Sequence, residues 1–187
     1  MVDSKAPRVD LPGLVVELRR DLRIGSLRYF DAAGPLDAAL HDVLGGPLPP
    51  PLKATCHPNP IAREAIILAW RSPTETLLLT QSADAFEAAA STVAEHAAAG
   101  CFVEQTGGLA VWDASGGRAA DLLRRLGSTA SVPALGEARV SRVAELPVLT
   151  LCVREAQLMM LVERVYSDHL IAWIGETAAD LSARVDT

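Results

Sequence analysis

The 187-residue sequence predicts an α+β fold built from two halves, each running strand, helix, strand hairpin, helix, and packed together as one domain. Three observations predict it. The stretches FDAAGPLDAALHDVLG (30–45) and WDASGGRAADLLRRLG (112–127) lie 82 positions apart and share seven of sixteen residues without a gap. The matches pair Asp31 with Asp113, Ala32 with Ala114, Gly34 with Gly116, Ala38 with Ala120, Leu40 with Leu122, Leu44 with Leu126 and Gly45 with Gly127. The apolar run Leu77–Leu79, followed by a helical pattern, returns 81 positions later as Leu158–Met160, again followed by a helical pattern. Finally, Ala65–Trp70 and Glu75–Thr80 flank the turn signal Arg71-Ser72-Pro73-Thr74, which reads as a hairpin.

The remaining elements follow in chain order. Residues 1–21 read as a mobile tail and lead-in, and residues 22–187 as one domain of two pseudo-repeats, 22–106 and 107–187. Ser26–Phe30 reads as a strand leading into the first repeat copy, where Ala38, Leu40, Val43 and Leu44 place an apolar stripe on a short helix closed by Gly45 and Gly46. Residues 46–60 hold six prolines in fifteen positions, which excludes a regular helix, disfavours a central strand and reads as a loop. Ser82 or Asp84 caps a helix carrying Phe86, Ala89, Ala90, Val93 and Ala97. Cys101–Gln105 is a strand, and the second copy's helix carries Ala119, Leu122, Leu123 and Leu126. Strands are expected at 138–143, 147–153 and 157–162, before a last helix from Asp168 to Ala183 capped by Ser167 and burying Leu170, Ile174, Ala178 and Leu181. Either half alone would leave an apolar face in water, so the two are expected to form one cooperative body.

Composition narrows the function. A net charge of −6 and a pI of about 5.2 argue against an electrostatic grip on nucleic acid or anionic lipid. No apolar run approaches the roughly eighteen residues of a membrane span, and the first ten residues lack the apolar segment of a secretory signal, so the expected location is the cytoplasm. Three widely spaced cysteines, Cys56, Cys101 and Cys152, suit a reducing compartment and structural roles. With only eight aromatic residues, the core has to be built mainly from Ala, Leu and Val.

No catalytic, cofactor-binding or metal site emerges from the residues. Cys56 and His57 are adjacent, but an extended backbone sends neighbouring side chains to opposite sides, and His41, His96 and His169 fall at no zinc-ligand spacing. Gly107-Gly108 and the AlaSerGlyGly at 114–117 could cradle a phosphate, yet neither glycine-rich phosphate motif is present and tight strand-to-helix turning accounts for both. Asp31 and Asp113 are expected to satisfy local backbone donors instead of acting as an acid-base pair. Of Met159 and Met160, one is expected in the core and one partly covered; Trp70, Trp112 and Trp173 read as core residues, with a pocket or subunit contact as the alternative.

Several segments together resemble the gamma subunit of heterotetrameric sarcosine oxidase, a small relative of the folate-binding aminomethyltransferase fold of the glycine cleavage T protein. The resemblance is carried by Ser115–Leu123, similar to that family's Ser-Gly-Pro-x-Ala-x-x-x-Leu turn and helix, and by a second such turn at Gly34–Ala38. The Trp70 strand with its hairpin into Thr76–Leu79, the approach Val103–Gly108 and the ending Val165–Ile174 add to it, so that it spans 22–181. The chain departs from the family at Gly127–Leu135, where a Gly-Cys-rich stretch is usual, and at Thr74–Leu77, where an acidic-tryptophan pair is common. The resemblance implies an aminomethyltransferase-like fold and a non-catalytic interaction subunit of a flavin-dependent amine oxidase. Flavin, nicotinamide cofactor (NAD) and folate would then sit on larger partner subunits, with none in this chain. The alternatives are a free-standing protein or enzyme that binds folate or another small ligand in a cleft between the halves, and a homo-oligomer.

Overall fold

The computed structural model describes residues 7–31, 34–58 and 65–183. Residues 1–6 of the expected tail, Ala32 of the repeat and residues 59–60 of the proline-rich stretch lie outside them. In chain order the elements are β1 (Arg8–Leu11), β2 (Leu14–Arg19), β3 (Arg23–Tyr29), α1 (Pro35–Leu44), β4 (Ala54–Pro58), β5 (Ala65–Ser72), β6 (Glu75–Thr80), α2 (Ala83–Glu95), β7 (Gly100–Glu104), β8 (Leu109–Ser115), α3 (Ala119–Leu126), β9 (Glu137–Val143), β10 (Leu146–Arg154), β11 (Gln157–Glu163) and α4 (Ser167–Ala183). The fold is α+β, with two antiparallel sheets and four helices. No described helix is long and apolar enough to cross a membrane.

The chain divides into two compact units. One comprises 21–108 with 136–138 and holds a five-stranded sheet in the order β4-β5-β6-β3-β7. The Pro73-Thr74 turn closes the β5-β6 hairpin, and Ser82 Oγ accepts the Ala85 amide at 3.3 Å to start α2. Helix α1 buries Leu36, Leu40 and Leu44, one residue per turn, against Leu68, Leu78, Phe86 and Val93. The expected stripe on α1 is therefore displaced: Ala38 is exposed and Val43 only half-buried, because Leu36 takes the place assigned to Ala38. Likewise Ala97 lies beyond the end of α2 and is exposed.

The proline-rich stretch contains a strand that the sequence reading assigned to loop. β4 pairs antiparallel with β5 from Ala54↔Ala69 to Pro58↔Ala65. It lies at the sheet edge, where proline removes no ladder bond on the open side.

The other unit comprises 1–20, 109–135 and 139–187, and its six-stranded sheet has the order β1-β2-β8-β11-β10-β9. Here too a lead-in segment is structured: residues 8–19, read as tail, form the β1-β2 hairpin, and β2 pairs with β8 from Val15↔Ser115 to Arg19↔Val111. The alternation of Leu14 and Val16 supplies inward side chains, a period-two signal masked by the charges around it. Leu122, Leu123 and Leu126 of α3 and Leu170, Ile174, Ala178 and Leu181 of α4 pack over Trp112, Met160 and Val162. Trp112 is 1% exposed and its indole N–H donates to Ser167 Oγ at 3.2 Å, so Ser167 receives an indole as α4 begins. Met159 and Met160 are both buried, at 2% and 1%, because β11 is covered on both faces.

The second-copy turn shows why glycine is required at one position and not at its neighbour. Gly116 has φ +107° and any Cβ there would lie 2.3 Å from the Gly13 carbonyl oxygen, whereas Gly117 has nothing within 4 Å. Gly116→Ala is expected to cost about 2–3 kcal/mol and Gly117→Ala under about 0.5 kcal/mol in urea unfolding; equal effects would contradict this turn geometry.

Candidate functional site

Each residue singled out from the sequence has a definite place. Cys56 and His57 sit on β4 with side chains to opposite sides, since their register partners Ile67 and Ile66 alternate. Cys56 is exposed. The His57 ring packs on Gly46, where a Cβ would approach Cε1 to 2.3 Å, and burial followed by the nearby His41 charge lowers the imidazole pKa. Among the described residues, no three His, Cys, Asp or Glu side chains converge as a metal set would.

At the AlaSerGlyGly turn and the helix start that follows it, several amides bond within the protein. Gly116 N–H donates to Ala156 O at 2.9 Å, Arg118 N–H to Gly13 O at 3.1 Å, and Ala119 N–H to Gly116 O at 3.1 Å. Turn closure thus uses three of the amides around this turn within the protein.

The two repeat-related aspartates part company. Asp31 is exposed at the head of its turn, with its backbone carbonyl accepting the Gly34 amide at 3.3 Å. Asp113, in the middle of the six-stranded sheet, does not bind local backbone donors as expected. Its Oδ2 accepts from Gln157 Nε2 at 2.5 Å and faces Arg19 Nη1 at 3.5 Å, while Oδ1 is buried without a partner among the described residues. Its neighbours come from β2 and β11, strands with no sequence proximity to it, which is why the spacing of residues held no sign of the cluster. Burial raises the carboxyl pKa, with the Gln157 hydrogen bond and the Arg19 charge opposing. A half-satisfied carboxyl of this kind can hold a proton above the usual carboxylate range; among the described residues the acid beside it is Glu17, whose side chain is 44% exposed and paired with Arg8.

A cavity of about 370 Å³ opens in the unit that holds β3, lined by Arg28 to Phe30, Thr74, Ala97, Gly100 and Cys101. It forms where β3 ends: Tyr29 N–H donates to Thr74 O at 3.1 Å and Phe30 N–H to Ala99 O at 3.2 Å, leaving the Phe30 ring 84% exposed. At its edge, Gly100 permits close approach of the paired strand, since a Cβ there would lie 2.3 Å from the Arg28 carbonyl oxygen. Arg28 and Cys101 are register partners on adjacent strands, and the guanidinium lies 3.6 Å from Glu75, which also accepts from Ser26 Oγ at 2.5 Å and Arg71 at 3.3 Å. The cavity offers an apolar recess with its one cation already paired, which is shape for a contact and not a reacting pair of groups. Three separated segments build it, so no motif announces it. Of the tryptophans, Trp112 is core, Trp70 half-buried and Trp173 46% exposed, so the last departs from the core reading.

The pH dependence of stability follows from Asp113. Because its folded-state pKa is raised, its contribution to folding is complete below the ordinary carboxylate pKa and is lost as pH rises through the raised value. Asp113→Asn removes that titration. Stability of wild type relative to the variant is therefore expected to decline in urea unfolding as pH rises above the ordinary carboxylate range; a constant difference would contradict the raised pKa.

No protein-family model matches the sequence, and no curated protein matches it. Among solved structures, the chain is similar to a chain of the heterotetrameric sarcosine oxidase from Corynebacterium sp. U-96, solved in complex with pyrrole 2-carboxylate, with a TM-score of 0.75 and 18% identity over 90% of this chain and 85% of that one. It is also similar to the glycine cleavage system aminomethyltransferase T from Bartonella henselae, with a TM-score of 0.56 and 12% identity over 84% of this chain but only 44% of the longer relative. The chain therefore has a fold related to that of a sarcosine oxidase subunit and of the aminomethyltransferase T protein.

Proposed function

We propose that this chain is a non-catalytic accessory subunit of a multi-subunit, flavin-dependent amine oxidase resembling heterotetrameric sarcosine oxidase, in the position of its gamma subunit. One observation carries the reading: the likeness to a chain of that oxidase runs nearly end to end on both partners, 90% of this chain and 85% of the other. The aminomethyltransferase, by contrast, has more than half its length outside the match. The turn-helix motifs at Ser115–Leu123 and Gly34–Ala38 support the same assignment from sequence. On this reading flavin, NAD and folate reside on the larger subunits, and the assembly works in the cytoplasm, where the free thiols of Cys56, Cys101 and Cys152 stay reduced.

The reading includes an origin by internal duplication. In support, the order β4-β5-β6-β3-β7 of one sheet corresponds element by element to β9-β10-β11-β8-β2 of the other, with α1 answering α3 and α2 answering α4. Matching positions also make matching bonds: Gly34 and Gly116 carbonyls accept the amides of Asp37 and Ala119, and Gly45 and Gly127 amides donate to His41 and Leu123. The flanking strand differs in origin, since β7 follows α2 in sequence whereas β2 precedes β8, α3 and the strands after them.

The test is the isolated chain. Purified alone, it is expected to carry no flavin absorbance, turn over no amine, and show no melting shift with saturating folate, since a ligand specific to the native state would stabilise it by about 2.7 kcal/mol at a hundredfold excess over Kd. Stoichiometric flavin or a folate-dependent shift would overturn the accessory assignment and favour a free-standing ligand-binding protein.

A further inference from the structure

The outward flank of α4 carries an unusual combination. His169, Trp173, Glu176 and Asp180 recur at intervals of four, three and four residues, which places them in one row along the helix, opposite none of the buried residues Leu170, Ile174, Ala178 and Leu181 but beside them. All four are exposed, Trp173 to 46%, and the rings of His169 and Trp173 lie 6.3 Å apart. Just before the helix, Tyr166 and Val165 continue the apolar part at 40% and 81% exposure. The row is thus aromatic at its start and acidic over its last two turns.

From Ser167 to Ala183 there is no Lys or Arg, and the exposed carboxylates are Asp168, Glu176 and Asp180. Of the cations around the helix, Arg164 donates to Leu109 O at 3.3 Å and Arg118 to Leu181 O at 2.5 Å, and among the described residues neither pairs with Glu176 or Asp180. A buried-type aromatic left in water beside carboxylates that pair with no cation among the described residues is suited to an arginine from outside. A guanidinium can stack on an indole face while its fork binds a carboxylate one turn along, about 5 Å away. A second copy of this chain fits poorly, since its net charge is −6 and the same acidic row would face it.

We propose that this row, Tyr166–His169–Trp173–Glu176–Asp180, docks an arginine-bearing basic face of a larger protein subunit, with Trp173 as the anchor. The inference rests on the accessory-subunit reading and specifies which surface that role uses. Tryptophan at the centre of such a contact typically dominates its energy, and flanking carboxylates set the association rate and its salt dependence.

The experiment uses the full chain with an affinity tag, expressed in its source cells, with the captured assembly scored by flavin absorbance and by mass-spectrometric identification of oxidoreductase subunits. Trp173→Ala and the double change Glu176→Lys with Asp180→Lys are each expected to lower recovery of flavin-bearing subunits at least about tenfold. Both variants should keep the wild-type melting temperature, because all three side chains are exposed. Wild-type capture with undiminished capture by both variants would overturn the docking row while leaving the subunit reading in place. A wild-type chain that captures no flavin-bearing subunit would overturn the subunit reading and the row's assigned occupant together. A homodimer that Trp173→Ala dissociates, seen by light scattering, would show that the row serves a second copy and would also overturn the proposal.

Discussion

The structure depends on apolar strands that have to be covered on both faces. In β6 the consecutive residues Leu77, Leu78 and Leu79 are exposed by 1%, 0% and 0%, and in β11 every residue from Leu158 to Val162 is buried. Helices account for the even-numbered face of β6 through Leu78, and for Leu158, Met160 and Val162 of β11. The intervening residues are equally dry. A strand with this pattern cannot face water on either side, so it becomes the middle of its sheet, and the polar groups allowed there are few: Ser26, Thr76, Thr80, Asp113 and Thr150. Most of these are hydrogen-bonded, as with Ser26 to Glu75, Thr76 to Tyr29 and Thr150 to the Ser131 and Arg139 carbonyls. Room for chemistry within such sheets is correspondingly small.

This constraint explains where the exposed apolar side chains are found. Phe30 projects at the end of a central strand, and Val165, Tyr166 and Trp173 project from the approach to α4 and its outer flank. The repeat-related pair Phe30 and Trp112 shows the divergence at one position, the first 84% exposed and the second 1%. Where Trp112 anchors its sheet to the last helix through Ser167, Phe30 is released to border a cavity. A protein whose aromatic residues are this scarce and whose core is largely aliphatic places them tellingly when it leaves them outside.

Much of the fold was legible in the sequence, for identifiable reasons. The hairpin at β5-β6, the strands β9 to β11 and the helices α3 and α4 carry strong periodicity bounded by turn residues, and their buried residues match the reading. β1 and β2 were missed because charges interrupt their alternation, and β4 because its prolines mask a strand that tolerates them only at an edge. The Asp113 cluster and the cavity were hidden for a deeper reason. Each assembles residues far apart in sequence through strand pairing, and pairing partners leave no mark in local spacing. The exposure of Trp173 was likewise invisible, since a helical period shows which residues share a face but a flank between faces can go either way.

The proposed role within a larger flavoprotein is open to a direct test. Native mass spectrometry of the amine-oxidising complex isolated from source cells tests it most directly. The 19.8 kDa chain is expected at fixed stoichiometry with flavin-bearing subunits. An intact, active oxidase that lacks this chain would contradict it.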